Sequence, residues 1–442
     1  MHDSQLFKRI RSEMDRIRIL DTHEHLYFPH QLAEMKKIDF GLLFTHYTNS
    51  DLISAGMPPD QMAEVGNMSS KLSPAEKWRL LKPWYAKAWN TAYCESIRIA
   101  MRDLFGIEDL SDKTVEPLSV KMNSVNRRTW TREVFDRAHI DIAMEQNLWT
   151  DIVYPRRRYP DIFLCDLADP FSNLEIAPLS KDSGIEVASL ADYLRIIDHY
   201  FDRFADEATA YKISRAYSRP IFFAEVERAE AERVFDECLR AKDRSSVKGI
   251  PAADFAEASS PLRLEDFIIH YCIRSAGEHD LPVKIHTGIQ DANSNDVTRS
   301  RPSLLINLFM KYPNVKFDIY HVAWPYSDEL LAIAKQFPNV WVDFCWLWII
   351  NPPAARRYLH EALETIPVSK IHGFGGDFFF VEGSYGHCMI AKREIARVLA
   401  EKVEEGRFTE EYAVSVARLI LRENALSHFR IEEKRKLVAS RG

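Results

Sequence analysis

The sequence predicts an α/β protein, a (β/α)8 TIM barrel with a large helical insertion after strand 1. Three observations predict it. From Ile140 onward, short apolar runs alternate with longer amphipathic stretches, the rhythm of parallel strands joined by crossover helices. An eighth such run lies upstream at Ile17–Thr22, in IRILDTHEHL, and eight βα units point to a barrel rather than an open doubly wound sheet. About 110 residues separate that run from Ile140, far more than an ordinary βα loop holds.

In chain order the expected strands are Ile17–Thr22, Ile140–Gln146, Ile162–Ala168, Thr209–Ser214, Pro282–Thr287, Val315–Tyr320, Val340–Cys345 and Lys370–Gly376. Each is short, β-branched or aromatic, and continuous rather than alternating, as a strand covered on both faces should be. Helices are expected at Ser189–Asp206, Phe222–Ala241, Leu264–His279, Pro302–Lys311, Ser327–Gln336 and Pro353–Thr365. Pro-Asn-Val recurs at Pro313 and Pro338, where a helix stops and the next strand begins. Inside the insertion, Ser73-Pro74-Ala75-Glu76 reads as a helix start, with Ser as N-cap, Pro first and Glu third. The residues that follow include Trp78, Trp84, Tyr85, Trp89 and Tyr93, an aromatic stripe that at helical spacing serves mostly for packing. Glu394–Glu405 and Thr409–Asn424 read as closing helices. The expected organisation is residues 1–26 for an N-terminal helix and strand 1, 27–139 for a helical insertion capping the barrel mouth, and 140–442 for the remaining barrel.

Composition narrows the function classes. The chain of 442 residues carries 58 Lys and Arg against 65 Asp and Glu, a formal net charge of −7. That lacks the basic footprint of a nucleic-acid binder and the polybasic clusters that hold proteins on anionic membranes. No apolar run approaches the roughly 20 residues of a membrane span, and the charged N-terminus has no signal-peptide core. The six cysteines are scattered with no C-x-x-C pair, which fits a reduced, cytoplasmic protein without a disulfide framework. A soluble enzyme acting on a small molecule is expected, with homo-oligomers the default state.

Active sites of this barrel class lie at the C-terminal ends of the strands. The polar residues that end expected strands are His23, His25, Lys212, His286, His321 and Asp377. His23 and His25 flank Glu24, and residues two apart on an extended chain project to one side, so both imidazoles can face one site. Two neutral imidazoles on one face are half of a zinc-type ligand set. His286 and His321 taken singly suit either a hydrogen-bonded core histidine or a ligand; four of the fifteen histidines at strand ends weigh against coincidence. Asp377 follows a Gly-Phe-Gly-Gly run and precedes three phenylalanines, an apolar setting in which a nearby cation would offset the burial of its charge. The alternative for Asp377 is the N-cap of the next helix. Arg215, with Tyr217 and Arg219 close by, could offer a guanidinium fork to a substrate carboxylate, or simply line a solvated loop.

These residues carry a family likeness. The stretches DTHEHL, LPVKIHTGIQD, HVAWPYSDELLAIAKQFPNVWVD, GGDFFFVEG and EEGRFTEEYAVSVARLILRENAL occur in order, and on them the chain resembles the amidohydrolase superfamily in its amidohydrolase-2 branch. Within that branch it is similar to the amidohydrolase domain of nodulin-like and glutamine-synthetase-fused proteins. The long helical insertion also resembles that of uronate isomerases. The resemblance implies a divalent ion, zinc before manganese or iron and one ion rather than two. It implies His23, His25 and His286 as ligands, and His321 as the residue that contacts or orients the attacking water or the substrate. Asp377 is implied as both a ligand and the general base. At the position of Lys212 some members carry a carboxylated lysine bridging two metals, whereas others use an unmodified lysine to hold substrate.

The reaction this implies is metal-dependent hydrolysis of an amide or ester-like bond in a small, carboxylate-bearing substrate. Two rivals stand beside it. Relatives with the same ligands decarboxylate aromatic acids or interconvert aldose and ketose sugars, as uronate isomerases do. A barrel that only binds a ligand is the other.

Overall fold

A computed structural model describes residues 4–146, 159–240 and 260–441. They form nine strands: β1 Ile19–Glu24, β2 Ile140–Glu145, β3 Phe163–Cys165, β4 Leu167–Ala168, β5 Tyr211–Ile213, β6 Val283–Ile285, β7 Phe317–Ile319, β8 Val340–Asp343 and β9 Ile371–His372. The chain folds into two compact units.

The first unit comprises Met1–Glu145, Asp291–Asn295 and Phe344–Ala425. It opens with the helix Gln5–Asp15, capped by the Ser4 hydroxyl, which accepts the Phe7 N–H. β1 follows, buried along its whole length, and pairs in parallel with β2 from Ile19 opposite Ile140 to Glu24 opposite Glu145. The insertion between them is helical, as expected. Its helices include Pro59–Gly66, Pro74–Ala88, Ala92–Phe105, Val115–Ser124 and Trp130–Ala138. Ser73 and Glu76 form the anticipated capping box. Trp78 and Tyr85 are buried in the aromatic stripe and bonded to Asp112 and Asp109, so packing accounts for them. Tyr93 instead stacks on Tyr47 and Trp346.

The last long helix of this unit departs from expectation, running over Val381–Glu404 rather than starting at Glu394. A Cβ at Gly386 would stand 1.9 Å from the Ser96 carbonyl oxygen. Close packing of this helix on Ala92–Phe105 requires a glycine there, and packing overrides propensity.

The second unit comprises Gln146–Gln290, Asp296–Asp343 and Leu426–Gly442. Here β4, β5, β6, β7 and β8 pair in parallel, in sequence order. The single expected strand Ile162–Ala168 is two strands, β3 and β4, broken at Asp166. The buried Asp166 carboxylate explains the break: it accepts from the Thr209 hydroxyl at 2.5 Å and from the Lys284 ammonium at 3.0–3.1 Å. Lys212 lies opposite Lys284, and Lys284 opposite Asp318, so the core of this sheet carries a polar row.

Between the strands, Ser189 caps Leu190–Phe204 and Ser327–Gln336 follows the expected bounds. Ser260–Glu278 begins earlier than expected, and Arg228–Arg240 begins later. The expected end of the latter, Ala241, lies outside the described residues. A further helix at Ile431–Arg441 was not anticipated. Among the described residues no helix is long and apolar enough to cross a membrane.

Candidate active site

In the first unit, β1 points His23 and His25 to one side, and their Nε2 atoms stand 3.1 Å apart. Asp377 brings Oδ1 to 3.5 Å from His23 Nε2 and 3.4 Å from His25 Nε2. His23 and Asp377 are buried, and His25 is nearly so. Two imidazole nitrogens and a carboxylate oxygen thus converge on one point. A divalent cation satisfies all three at once, and two nitrogens with one oxygen suit zinc, manganese or iron. Asp377 is not a helix N-cap. The next helix starts at Val381 with Phe380 in that position.

Backbone pairing explains how residues so distant in sequence meet. Thr22 N–H donates to Phe374 O, Asp377 N–H to His23 O, and His25 N–H to Phe378 O. Asp21 Oδ1 accepts from both His23 N–H at 3.1 Å and Gly376 N–H at 3.0 Å. Glu24 Oε2 accepts from Phe378 N–H at 2.7 Å. Burial raises the Glu24 pKa well above the usual carboxylate range, and the neighbouring Asp21 charge and hydrogen bond raise it further. A Cβ at Gly376 would lie 1.9 Å from Glu24 Oε1, so only glycine fits this crossing. Asp377 itself has φ +61°, an uncommon conformation held by these bonds.

Two further histidines back this group. His387, on the helix Val381–Glu404, bonds through Nδ1 to Gly376 O at 3.0 Å. Burial lowers its pKa to about 3, so the ring is neutral, and Nδ1–H must be the donor. His46 stacks between Tyr47 and Phe379, with ring centroids 3.8 and 3.9 Å away, and its Nε2 stands 3.6 Å from Asp291. Burial first, then the His25 charge, lower the His46 pKa. Sequence reading missed both: His46 sits in the insertion without a motif, and His387 in a helix expected to start later. Asp21 and Glu24 lay inside DTHEHL unassigned, although their spacing offered a signal.

In the second unit, His286 and His321 end β6 and β7 and meet, His321 Nε2 lying 3.1 Å from His286 Nδ1. His286 Nε2 is 2.9 Å from Ile289 O, and a carbonyl only accepts, so Nε2 carries the proton and Nδ1 presents its lone pair. Backbone pairing aligns the two loops, with Ile289 N–H donating to Trp324 O. His321, Val322 and Ala323 all have positive φ, 63°, 48° and 50°. Lys212 is buried, with Nζ 3.6 Å from the centroid of the Tyr320 ring. Arg215 donates to Glu265 at 3.0 Å and to Asn173, beside Arg219, which bonds Glu265 and Asp266. Tyr217 lays its ring on His286, with centroids 4.8 Å apart.

A family model described as amidohydrolase matches residues 183–431, more than half of the chain. The chain belongs to the amidohydrolase family. It is 28% identical over 154 residues to the protein fluG of Emericella nidulans, covering 35% of this chain and only 18% of that relative's length. It is 22% identical over 401 residues to a uronate isomerase of Rhizorhabdus wittichii, covering 84% of this chain and 83% of the relative. A solved glucuronate isomerase from Caulobacter crescentus superposes with a TM-score of 0.77 at 16% identity, over 97% of this chain and 94% of that one. Likeness of this extent shows the fold, and this amidohydrolase has the TIM-barrel type of α/β fold that its strand–helix alternation predicts. Members of the superfamily typically bind divalent metal, and the histidine and aspartate groups described above are able to hold one.

Proposed function

We propose that this amidohydrolase is a metal-dependent hydrolase that cleaves an amide or ester-like bond in a small, carboxylate-bearing substrate. The observation that carries the reading is the approach of His23 Nε2, His25 Nε2 and Asp377 Oδ1 to within 3.5 Å of one another. His23, His25 and Asp377 would hold one divalent ion, with His286 the further ligand that the family likeness implies. Such an ion lowers the pKa of water toward neutrality and polarises a carbonyl.

The chain's own residues do the rest. Asp377 takes the proton of the attacking water and returns it to the leaving group. The Asp377 N–H bond to His23 O keeps the carboxylate aimed at the imidazole pair. His286 offers Nδ1, because its Nε2 proton is committed to Ile289. His321 orients the reacting group. Lys212 and Arg215 are the proposed contacts for the substrate carboxylate. The buried Arg215 Nε–H has no partner among the described residues, which leaves it for such a contact.

A second reading is aldose–ketose isomerisation of a sugar acid. It is favoured by the uronate isomerase match over most of both chains. Product analysis in ¹⁸O-labelled water separates the two. Hydrolysis of an amide or ester panel gives two products, one carrying the label. Isomerisation gives a single product with every skeletal bond intact. Conversion of hexuronates by the metal-loaded protein, with the amide and ester panel untouched, would sink the hydrolase reading. Turnover of neither, together with unchanged metal binding in His23→Ala and Asp377→Asn, would leave a binding barrel.

A further inference from the structure

The turn Arg215–Tyr217 follows β5 and carries both the proposed carboxylate contact and the ring that lies on His286. The two arginines at its ends have different jobs. Arg219 is buried and commits every N–H of its guanidinium: Nε to Pro220 O, Nη1 to Leu262 O and Glu265, Nη2 to Phe222 O and Asp266. It therefore clamps the chain beyond the turn and has nothing left for a ligand. Arg215 gives one bond from each Nη, to Asn173 and to Glu265, and none from Nε among the described residues.

Gln290 fixes the turn from the other side. Its buried side chain donates from Nε2 to Ala216 O at 3.2 Å, the carbonyl next after Arg215, and reaches Asp296 O at 3.4 Å. Gln290 stands in the segment that follows β6. There Ile289 O accepts from His286 Nε2, and Ile289 N–H donates to Trp324 O in the segment after β7. Two consecutive residues thus join three strand ends: β5 with Arg215, β6 with His286 and β7 with His321. Ile289 makes its links through backbone atoms, which any residue would supply. The link to β5 depends on the amide side chain at position 290.

We infer that Gln290 is a positioning residue that acts through Arg215. It holds the turn, and with it the guanidinium, at a fixed distance from His286, and so selects substrates by the spacing between their carboxylate and the reacting group. The inference rests on the proposed role of Arg215 as the carboxylate contact. A displacement of about 1 Å takes a polar contact out of bonding range, so one amide bond on this turn is enough to matter. The amide is uncharged, and removing it changes no charge near the substrate.

Binding of succinate to the full-length metal-loaded protein, followed by calorimetry, tests it in the parent, Arg215→Ala, Gln290→Met and the double variant. Methionine keeps the length of glutamine without its donor. Affinity should fall about tenfold in Arg215→Ala and about threefold to tenfold in Gln290→Met. The double variant should bind no more weakly than Arg215→Ala, because a residue acting through Arg215 has nothing to position once it is gone. Gln290→Asn, with a shortened donor, should fall between parent and Gln290→Met, and carries the comparison if the methionine variant does not fold. Parent affinity in both Gln290 variants, with Arg215→Ala weakened, would overturn the inference and leave the role of Arg215 standing. So would losses that add in the double variant. Equal affinity in parent and Arg215→Ala, or no binding to either, would sink the role of Arg215 and the inference with it.

Discussion

The two groups of strand-end residues differ in how completely they are satisfied. In the first unit, His23, His25 and Asp377 bring two ring nitrogens and a carboxylate oxygen to one point, and the buried carboxyls of Asp21 and Glu24 hold the backbone that aims them. In the second, the His286 proton goes to a carbonyl, Lys284 pairs with Asp166, Lys212 lies over Tyr320, and Arg215 bonds Glu265. Two imidazoles and a carboxylate converging on one point suit a cation. A cluster that supplies its own partners is suited to orienting a reacting group.

The largest expected effect is on metal content. His23→Ala/His25→Ala should lose about one equivalent of divalent ion by elemental analysis and also lose the stabilisation that the bound ion confers. Lys212→Ala should retain it. A parent with two equivalents, one of them lost in Lys212→Ala, would break the contrast by making that lysine a bridging ligand.

Gly376→Ala comes next. Its Cβ would collide with Glu24 Oε1, and the backbone carrying Asp377 must shift. A loss of roughly 2 kcal/mol or more in denaturant unfolding is expected, with reduced metal occupancy. A variant as stable as the parent would show the crossing to be looser than its geometry implies.

Acid should weaken the first unit through His387. Its folded pKa of about 3 lies below the ordinary 6.5, so the unfolded state takes up the proton first. Stability is present above about pH 6.5 and falls as pH drops toward 3, by on the order of a few kcal/mol at full protonation. His387→Gln should flatten that part of the profile, read from chemical denaturation across the range. An identical slope in the variant would remove His387 as the cause.

The smallest effect concerns Glu24. Burial and the Asp21 charge raise the Glu24 pKa, so the uncharged amide of Glu24→Gln should change stability by under about 1 kcal/mol. Glu24→Ala, which strips the partner from Phe378 N–H, should cost about 2 kcal/mol or more. Equal costs for the two substitutions would show that the bond to Phe378 N–H is not what the side chain contributes.

Much of this was legible in the chain because it is local. The H-x-H pair faces one side by the period of an extended strand, and Ser73 with Glu76 spells a helix start within four residues. Ser327–Gln336 matched its expected bounds for the same reason. Strand Ile162–Ala168 failed because Asp166 is drawn out of the run by Lys284, a partner more than a hundred residues away. The long helix starts earlier than expected, and its Gly386 answers to Ser96 on another helix.

By itself the sequence determined the strand–helix alternation, the placing of histidines and an aspartate at strand ends, and the family they resemble. Those depend on periodicity and on neighbours one to four residues apart. Tertiary structure alone decided that Asp377 meets His23 and His25 rather than capping a helix, since the bonds that aim it join segments some 350 residues apart. It also decided the tautomer of His286, the raised pKa of Glu24 and the neutral state of His387. Each of those depends on burial and on a partner brought near only by folding.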